Sequence, residues 1–262
     1  MIEGLEVVTL EGGEGGEGDA EKLPLIFLHE GLGSVSQWRD FPRALVAASG
    51  RRAIVYSRAG YGHSRAIVRP RPLSFMHDEA RSVLPALLDD LAIERATLIG
   101  HSDGASIALV FAAEHPARVD RLILEAPHVF VEDVCVASIA KVRAEWGHTE
   151  LRARLSRHHR DVDSAFLGWA DAWLDPAFRA WNLESFLPNV IAPTLLIQGE
   201  DDEYGTLAQV EAIAAQVKGP VERLILPRCG HAPHRDRPDE VLAAMRAFLE
   251  RGCAPVSARE RR

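Results

Sequence analysis

Residues 96–115 read Ala-Thr-Leu-Ile-Gly-His-Ser-Asp-Gly-Ala-Ser-Ile-Ala-Leu-Val-Phe-Ala-Ala-Glu-His, and the change of period inside this stretch decides the fold. The run 96–99 is apolar and too short for a helix, as expected of a strand covered on both faces, while 105–114 is helix-compatible. Between them the pentapeptide Gly100-His101-Ser102-Asp103-Gly104 leaves no room for a loop. A strand that turns at once into a helix strains the backbone of its middle residue and needs small neighbours for close approach. Ser102 is thereby placed at the carboxyl edge of a sheet, at the start of a helix, with its hydroxyl projecting. The bland alternative is a glycine-punctuated turn with an idle serine.

Outward from this stretch the same alternation repeats. Short apolar runs at 23–28, 53–56, 121–124, 194–197 and 223–226 read as strands, with 7–10 ahead of them. Helix-compatible segments at 36–49, 74–91, 105–114, 206–217 and 239–251 separate most of them. Strands alternating with helices predict an α/β chain with a mostly parallel, doubly wound sheet flanked by helices. The alternation fails once, over 134–188, where no strand pattern occurs and Trp146, Trp169, Trp173 and Trp181 supply four of the five tryptophans. We read an inserted helical cap, dividing the chain into a first core part (1–133), the cap (134–188) and a second core part (189–262). The tryptophans are packing residues for a small subdomain before they are pocket walls.

Hydrophobic residues make up 47% of the 262 and charged residues 26%, enough for a sizeable core. Thirty Lys and Arg against 38 Asp and Glu give a formal charge of −8 with no basic face, which argues against a nucleic-acid partner. No apolar run approaches a membrane span, and the acidic N-terminus lacks a signal pattern. Cys135, Cys229 and Cys253 form no CxxC pair. The expectation is a cytoplasmic chain without cofactor, metal or membrane partner, acting on a small molecule. Residues 11–22, rich in Gly and Glu, read as a mobile turn, and 253–262 as a frayed basic tail.

A serine hydroxyl needs a base to become a nucleophile. Of eleven histidines, His231 follows the last apolar strand and precedes the C-terminal helix, at the same sheet edge as Ser102. His234 is its near rival, and the spacing His-Ala-Pro-His is a weak metal pattern. His158 and His159 read as solvated residues of a charged cap helix. The base in turn needs an acid. Glu200-Asp201-Asp202-Glu203 follows the strand at 194–197, and Asp202 is preferred before Asp201, with Glu125 and Asp133 in reserve. The bland reading of these four acids is a wet turn or a cation site. After the first core strand, His29-Glu30-Gly31-Leu32-Gly33 can aim backbone N–H groups at an oxyanion. Gly31, or failing it Leu32, is one donor, and Asp103 the other. His101, inside the elbow, is a structural hydrogen-bonder before it is a base. With His29, His128, Trp146, Trp169 and Trp173 it makes up the candidate substrate-binding set.

The order of these motifs resembles the α/β-hydrolase superfamily along nearly the whole chain, from Leu5 to Leu249. His29-Glu30-Gly31 sits where the family has its oxyanion loop, and Tyr56-Ser57-Arg58-Ala59-Gly60-Tyr61-Gly62-His63-Ser64 is similar to the turn after its fourth strand. Gly-His-Ser-Asp-Gly resembles its nucleophile elbow, and the acid and base segments follow in its chain order. The resemblance implies a triad of Ser102, Asp202 and His231 under a helical cap. Two features depart from the pattern: Glu30 stands where the family usually has glycine, and the N-terminal hairpin is abbreviated. The elbow centre is Ser102 rather than the Asp of dehalogenases and epoxide hydrolases, which disfavours those reactions.

The expected activity is serine-dependent hydrolysis of a small carboxylic ester or thioester through an acyl-enzyme. The nearest rival is C–C bond hydrolysis of a ring-cleavage-type diketone with the same triad. A third reading, from another class, is a small-molecule receptor on the same fold, which would require a ruined triad or a partner-docking surface.

Overall fold

The structure is a computed structural model that describes residues 3–12 and 22–251. Most of the Gly/Glu stretch, the C-terminal tail and Cys253 lie outside the described residues. Seven strands form one sheet: β1 (Glu6–Leu10), β2 (Leu25–Leu28), β3 (Ala53–Ser57), β4 (Ala96–His101), β5 (Val119–Glu125), β6 (Thr194–Gly199) and β7 (Val221–Leu226). Their order is β1-β3-β2-β4-β5-β6-β7, with β1 antiparallel to β3 and every other neighbouring pair parallel.

Side chains alternate across a strand, so the continuous apolar runs feed two cores. Leu25, Phe27, Val55, Ile99, Ile123 and Ile197 pack on one face against α1 (Phe41–Ser49). Ile26, Leu28, Ile54, Leu98, Leu122, Leu124 and Leu196 pack on the other, under α2 (Phe75–Asp78), α3 (Leu84–Asp90) and α4 (Asp103–Glu114). No residue of α4 from Asp103 to Ala113 reaches solvent appreciably, which explains its lack of a polar stripe.

Two expected helices are interrupted, each at a proline. The segment 36–49 splits into a 3-10 turn, Val35–Trp38, and α1, because Pro42 has no N–H to donate to the Trp38 carbonyl; Arg39 makes the break at φ 54°. The segment 74–91 widens to π geometry over Glu79–Val83, just before Pro85, which cannot bond to the carbonyl of Arg81.

Between β5 and β6 lie α5 (Asp133–Ala144), α6 (Leu151–Leu155), α7 (Val162–Leu174) and two 3-10 turns, Pro176–Ala180 and Glu184–Asn189. Among the described residues the only bridge there joins Phe130 to Asn182. Asp161 caps α7 by accepting the Ser164 N–H. His158 and His159 are not on a helix but in the turn between α6 and α7, and His159 is buried, contrary to the solvated reading. Its ring takes the Gly62 N–H at 3.0 Å and donates to the Leu32 carbonyl at 2.9 Å, which fastens this turn to the sheet edge. After β6, α8 (Leu207–Gln216) returns to the sheet, and α9 (Pro233–Asp236) and α10 (Pro238–Glu250) close the described chain. Among the described residues no helix is long and apolar enough to cross a membrane.

Candidate active site

The strand order reverses between β2 and β4: the chain leaves β2 for β3 on one side and returns to β4 on the other. The loops after β2 and β4 therefore diverge and open a crevice at the carboxyl edge. Ser102 stands there with φ 52° and ψ −117°, a conformation held by its N–H on the Glu125 carbonyl at 2.9 Å. Such a backbone costs a non-glycine residue about 1–3 kcal/mol. The flanking glycines have no space for a side chain. A Cβ on Gly104 would lie 2.0 Å from the Leu28 carbonyl oxygen, and one on Gly100 2.5 Å from that of Gly104.

His231 lies on the loop after β7 and Asp202 on the loop after β6. His231 Nε2 is 2.9 Å from Ser102 Oγ, and its Nδ1 is 2.9 Å from both Asp202 oxygens. Asp202 also accepts the Tyr204 N–H at 2.7 Å and a Gln198 amide N–H at 2.7 Å. Burial alone would raise its pKa; the His231 ring and these donors prevail and hold it down to about 2. An ionised Asp202 keeps the proton on Nδ1 and leaves Nε2 free to accept from the serine hydroxyl.

The other carboxylates have separate employments. Asp201 is exposed in the loop. Glu125 receives the His234 Nδ1–H and backbone N–H, each at 3.0 Å, with both side chains buried. Asp133 pairs with Arg179 at the surface. The two histidines of the His-Ala-Pro-His segment thus turn to different carboxylates rather than to a shared ligand.

The loop after β2 is held from inside. Arg58, buried behind it, donates to the Glu30 carbonyl at 2.8 Å, and His29 Nδ1–H reaches the same oxygen at 2.7 Å. With that carbonyl drawn inward, the trans peptide sends the Gly31 N–H the opposite way, away from Arg58. A Cβ on Gly31 would lie 2.1 Å from Trp169 Nε1, so only glycine fits beneath this indole. Asp103 opens α4, and its N–H is one of the first-turn donors without an intrahelical acceptor. Its buried carboxylate accepts from Trp173 Nε1 at 3.2 Å and faces Arg58 at 3.5 Å. Burial raises its pKa and Arg58 opposes the rise. Glu30 extends towards His101 Nδ1 and Arg235, both at 3.6 Å. Although burial opposes it, the His101 contact followed by Arg235 holds this carboxyl well below the usual carboxylate range. His101 donates Nε2–H to the His231 carbonyl at 2.6 Å.

A cavity of about 310 Å³ opens over Ser102, lined by the apolar Ile139, Leu155, Trp169 and Trp173 and by the polar His128, Tyr204, Glu203 and Arg235. Two members of the expected substrate-binding set are not on it. His29 is fully buried, its Nε2 accepting the Arg58 N–H at 3.0 Å, and it shapes the loop instead of touching the cavity. Trp146 stacks on Phe166 with ring centroids 3.7 Å apart and donates to Asp163, which makes it packing within the insert. Arg58, Tyr204 and Arg235 carried no assignment from sequence, and Glu203 was offered only as one of the four acids after β6. An arginine ending an apolar strand, as Arg58 does after Tyr56-Ser57, was a usable signal, since a buried cation must find acceptors.

A family sequence model described as the alpha/beta hydrolase fold matches residues 24–186. The chain is 27% identical over 276 aligned positions to a 2-hydroxy-6-oxononadienedioate/2-hydroxy-6-oxononatrienedioate hydrolase of Comamonas testosteroni, covering 95% of this chain and 94% of that protein. It is 26% identical, with the same coverages, to a 2-hydroxy-6-oxo-6-phenylhexa-2,4-dienoate hydrolase of Burkholderia cepacia. Among solved structures, the enol-lactonase from Burkholderia xenovorans LB400 superposes with a TM-score of 0.72 at 21% identity, covering 94% of this chain and 96% of that one.

Proposed function

The chain belongs to the alpha/beta hydrolase family, and from that premise we propose that it is a serine hydrolase cleaving a small carboxylic ester or thioester through an acyl-enzyme. The observation that carries this reading is the His231 ring, which spans from Ser102 Oγ to Asp202 at 2.9 Å on either side, on the floor of the cavity. In the first half-reaction Ser102 Oγ adds to the ester carbonyl carbon as its proton passes to His231 Nε2. The carbonyl oxygen becomes an oxyanion facing the N–H groups of Gly31 and Asp103. Collapse breaks the bond to the leaving oxygen or sulfur, which takes the proton from His231. Water repeats the sequence: its oxygen adds to the acyl carbon, its proton goes to His231, and Ser102 leaves with that proton. Asp202 orients the imidazole and stabilises its cation.

C–C bond hydrolysis of a diketone with the same three residues is the second reading, favoured by the names of the two bacterial relatives. The charge of the cavity supports the ester reading. Glu30, Glu203 and Asp236 line it against one cation, Arg235, which is poor surroundings for the dianionic dienedioate of the first relative's name, though less so for the monoanionic dienoate of the second. Cytoplasmic placement accords with the free thiols Cys135 and Cys229.

Labelling by a fluorophosphonate, with the modified peptide identified, tests the nucleophile. Sustained turnover of nitrophenyl butyrate against that of a ring-cleavage dienoate tests the bond. We expect Ser102 to carry the label and the ester to be cleaved many times per enzyme. A label elsewhere, or a single stoichiometric burst as a receptor would give, sinks the reading.

A further inference from the structure

His128 lies on the loop after β5, 2% exposed, with its carbonyl fixed by the Ser106 hydroxyl at 2.6 Å. Its ring meets Trp173 edge-on at 5.4 Å and lies 5.6 Å from the His231 ring. Across from it Gly205 has no side chain, and a Cβ there would come within 3.1 Å of His128 Cε1. The imidazole is thus packed into place from several sides, yet among the described residues no protein group hydrogen-bonds either ring nitrogen; Nδ1 is buried without a partner. The residue borders the cavity over Ser102. Nδ1 is closed off on the edge that faces Gly205, where a Cβ would lie 3.5 Å from it, so a bound molecule meets the ring at Nε2, which no protein group among the described residues engages.

The strand order says which part of a substrate arrives there. β4, carrying Ser102, runs between β2, whose loop carries Gly31, and β5, whose loop carries His128. A carbonyl with its oxygen turned to Gly31 sends another substituent to the opposite side of Ser102. There His231 hands its proton to the leaving group. Burial first, and then the neighbouring His231 ring, lower the His128 pKa to about 3, so a neutral imidazole meets that group through Nε2, which donates or accepts according to its tautomer.

We propose that His128 is a specificity-determining residue of this site, hydrogen-bonding a hydroxyl or ether oxygen on the leaving group, so that the preferred substrates are esters of oxygen-substituted alcohols rather than of plain alkanols. This rests on the serine-hydrolase reading and adds a substrate class to it.

The test uses two butyrates of equal heavy-atom count in the alcohol, 2-hydroxyethyl butyrate and propyl butyrate, followed by pH-stat. Wild-type enzyme favours the hydroxyethyl ester in kcat/KM by about tenfold or more, the discrimination a buried hydrogen-bonding group imposes. His128→Phe brings the ratio of the two esters close to one, and His128→Gln, whose amide still donates and accepts, retains part of it. A wild-type ratio near one overturns the proposal, as does a ratio that survives in His128→Phe or, should that variant misfold, a ratio unaltered in a folded His128→Ala. Fluorophosphonate labelling of Ser102 is run beside it. Labelled enzyme with the wrong ratio, or with no turnover of either ester, removes the role of His128 alone. Absence of both labelling and turnover removes the hydrolase reading and this proposal with it.

Discussion

The loops at the carboxyl edge of the sheet and the helical segment between β5 and β6 wall the same cavity by different means. The edge loops are set by backbone constraints. Parallel pairing aligns Leu28 with Gly100 and Glu125 with both His101 and Ile197, glycines fill places where a Cβ would collide, and the Ser102 N–H is fixed to the Glu125 carbonyl. The inserted segment is set by side chains: Trp146 on Phe166, Trp173 against Phe178 and Trp181, and single indole hydrogen bonds to Asp103 and Asp163. A wall made of backbone tolerates little change and dictates the chemistry. A wall made of packed side chains can be re-cut, and it shapes what enters.

If this contrast is right, the largest losses come from the edge. Ser102→Ala should fold with an unchanged Tm, lose labelling and lose at least about a thousandfold in kcat, since only binding and oxyanion effects remain. Near-full activity in that variant would falsify the elbow assignment.

Asp202→Asn comes next, with an expected loss in kcat of about a hundredfold to ten-thousandfold and little change in KM, because the amide no longer fixes the His231 tautomer. Glu125→Gln, which disturbs the buried contact to His234, should cost less in rate and more in Tm. A mild Asp202→Asn beside a severe Glu125→Gln would move the acid to the end of β5. The sign of the pH effect follows from the depressed pKa of Asp202, about 2. Its stabilisation is fully present above the unfolded carboxyl value of about 3.9 and is lost as pH falls towards the folded value. Denaturation midpoints taken at pH 5 and pH 2.5 should therefore fall further in the wild type than in Asp202→Asn.

At Gly31 the two regions touch, and the effect should be intermediate. Gly31→Ala must displace the Trp169 indole or the loop, because the added carbon has only 2.1 Å to Trp169 Nε1. Loss of one well-aimed oxyanion donor is worth about a hundredfold to a thousandfold, so a partial displacement should lower kcat by about tenfold to a hundredfold with Ser102 labelling slowed in parallel. Unaltered kcat would mean that Leu32, and not Gly31, carries the donor.

The same contrast explains what was legible in the sequence. That Ser102, His231 and Asp202 share one edge was legible because each follows a strand of fixed direction and one glycine-bounded turn admits a single conformation. The roles of Arg58 and His29 were hidden, since both act on a carbonyl that any residue would supply. Pro42 and Pro85 were visible, yet their effect depends on which carbonyl the missing N–H would have met. Within the insert, tryptophan count signalled packing without saying which indole faces outward to the helices and which faces the cavity. Trp146 lies in the turn after α5 and Trp169 on α7, and no spacing rule encodes which of the two reaches the cavity.

That difference supplies the smallest and most discriminating effect. Trp169 and Trp173 border the cavity, whereas Trp146 and Trp181 do not. Trp169→Ala removes an apolar wall, so it should widen the range of acyl or alcohol chains accepted, each methylene being worth about 1–3 kcal/mol in such a pocket. Labelling of Ser102 by a small phosphonate should persist. Trp146→Ala takes away one ring of a stacked pair and leaves the cavity untouched. Its cost, about 3–5 kcal/mol for a well-buried aromatic and less for a half-buried one, should appear in Tm while the ratios across a graded ester series stay where they were. One thermal scan and one chain-length series per variant separate the two. If Trp146→Ala altered the ratios as much as Trp169→Ala, the insert would be transmitting its packing to the site as a unit, and the division between a dictating edge and an adjustable wall would have to be given up.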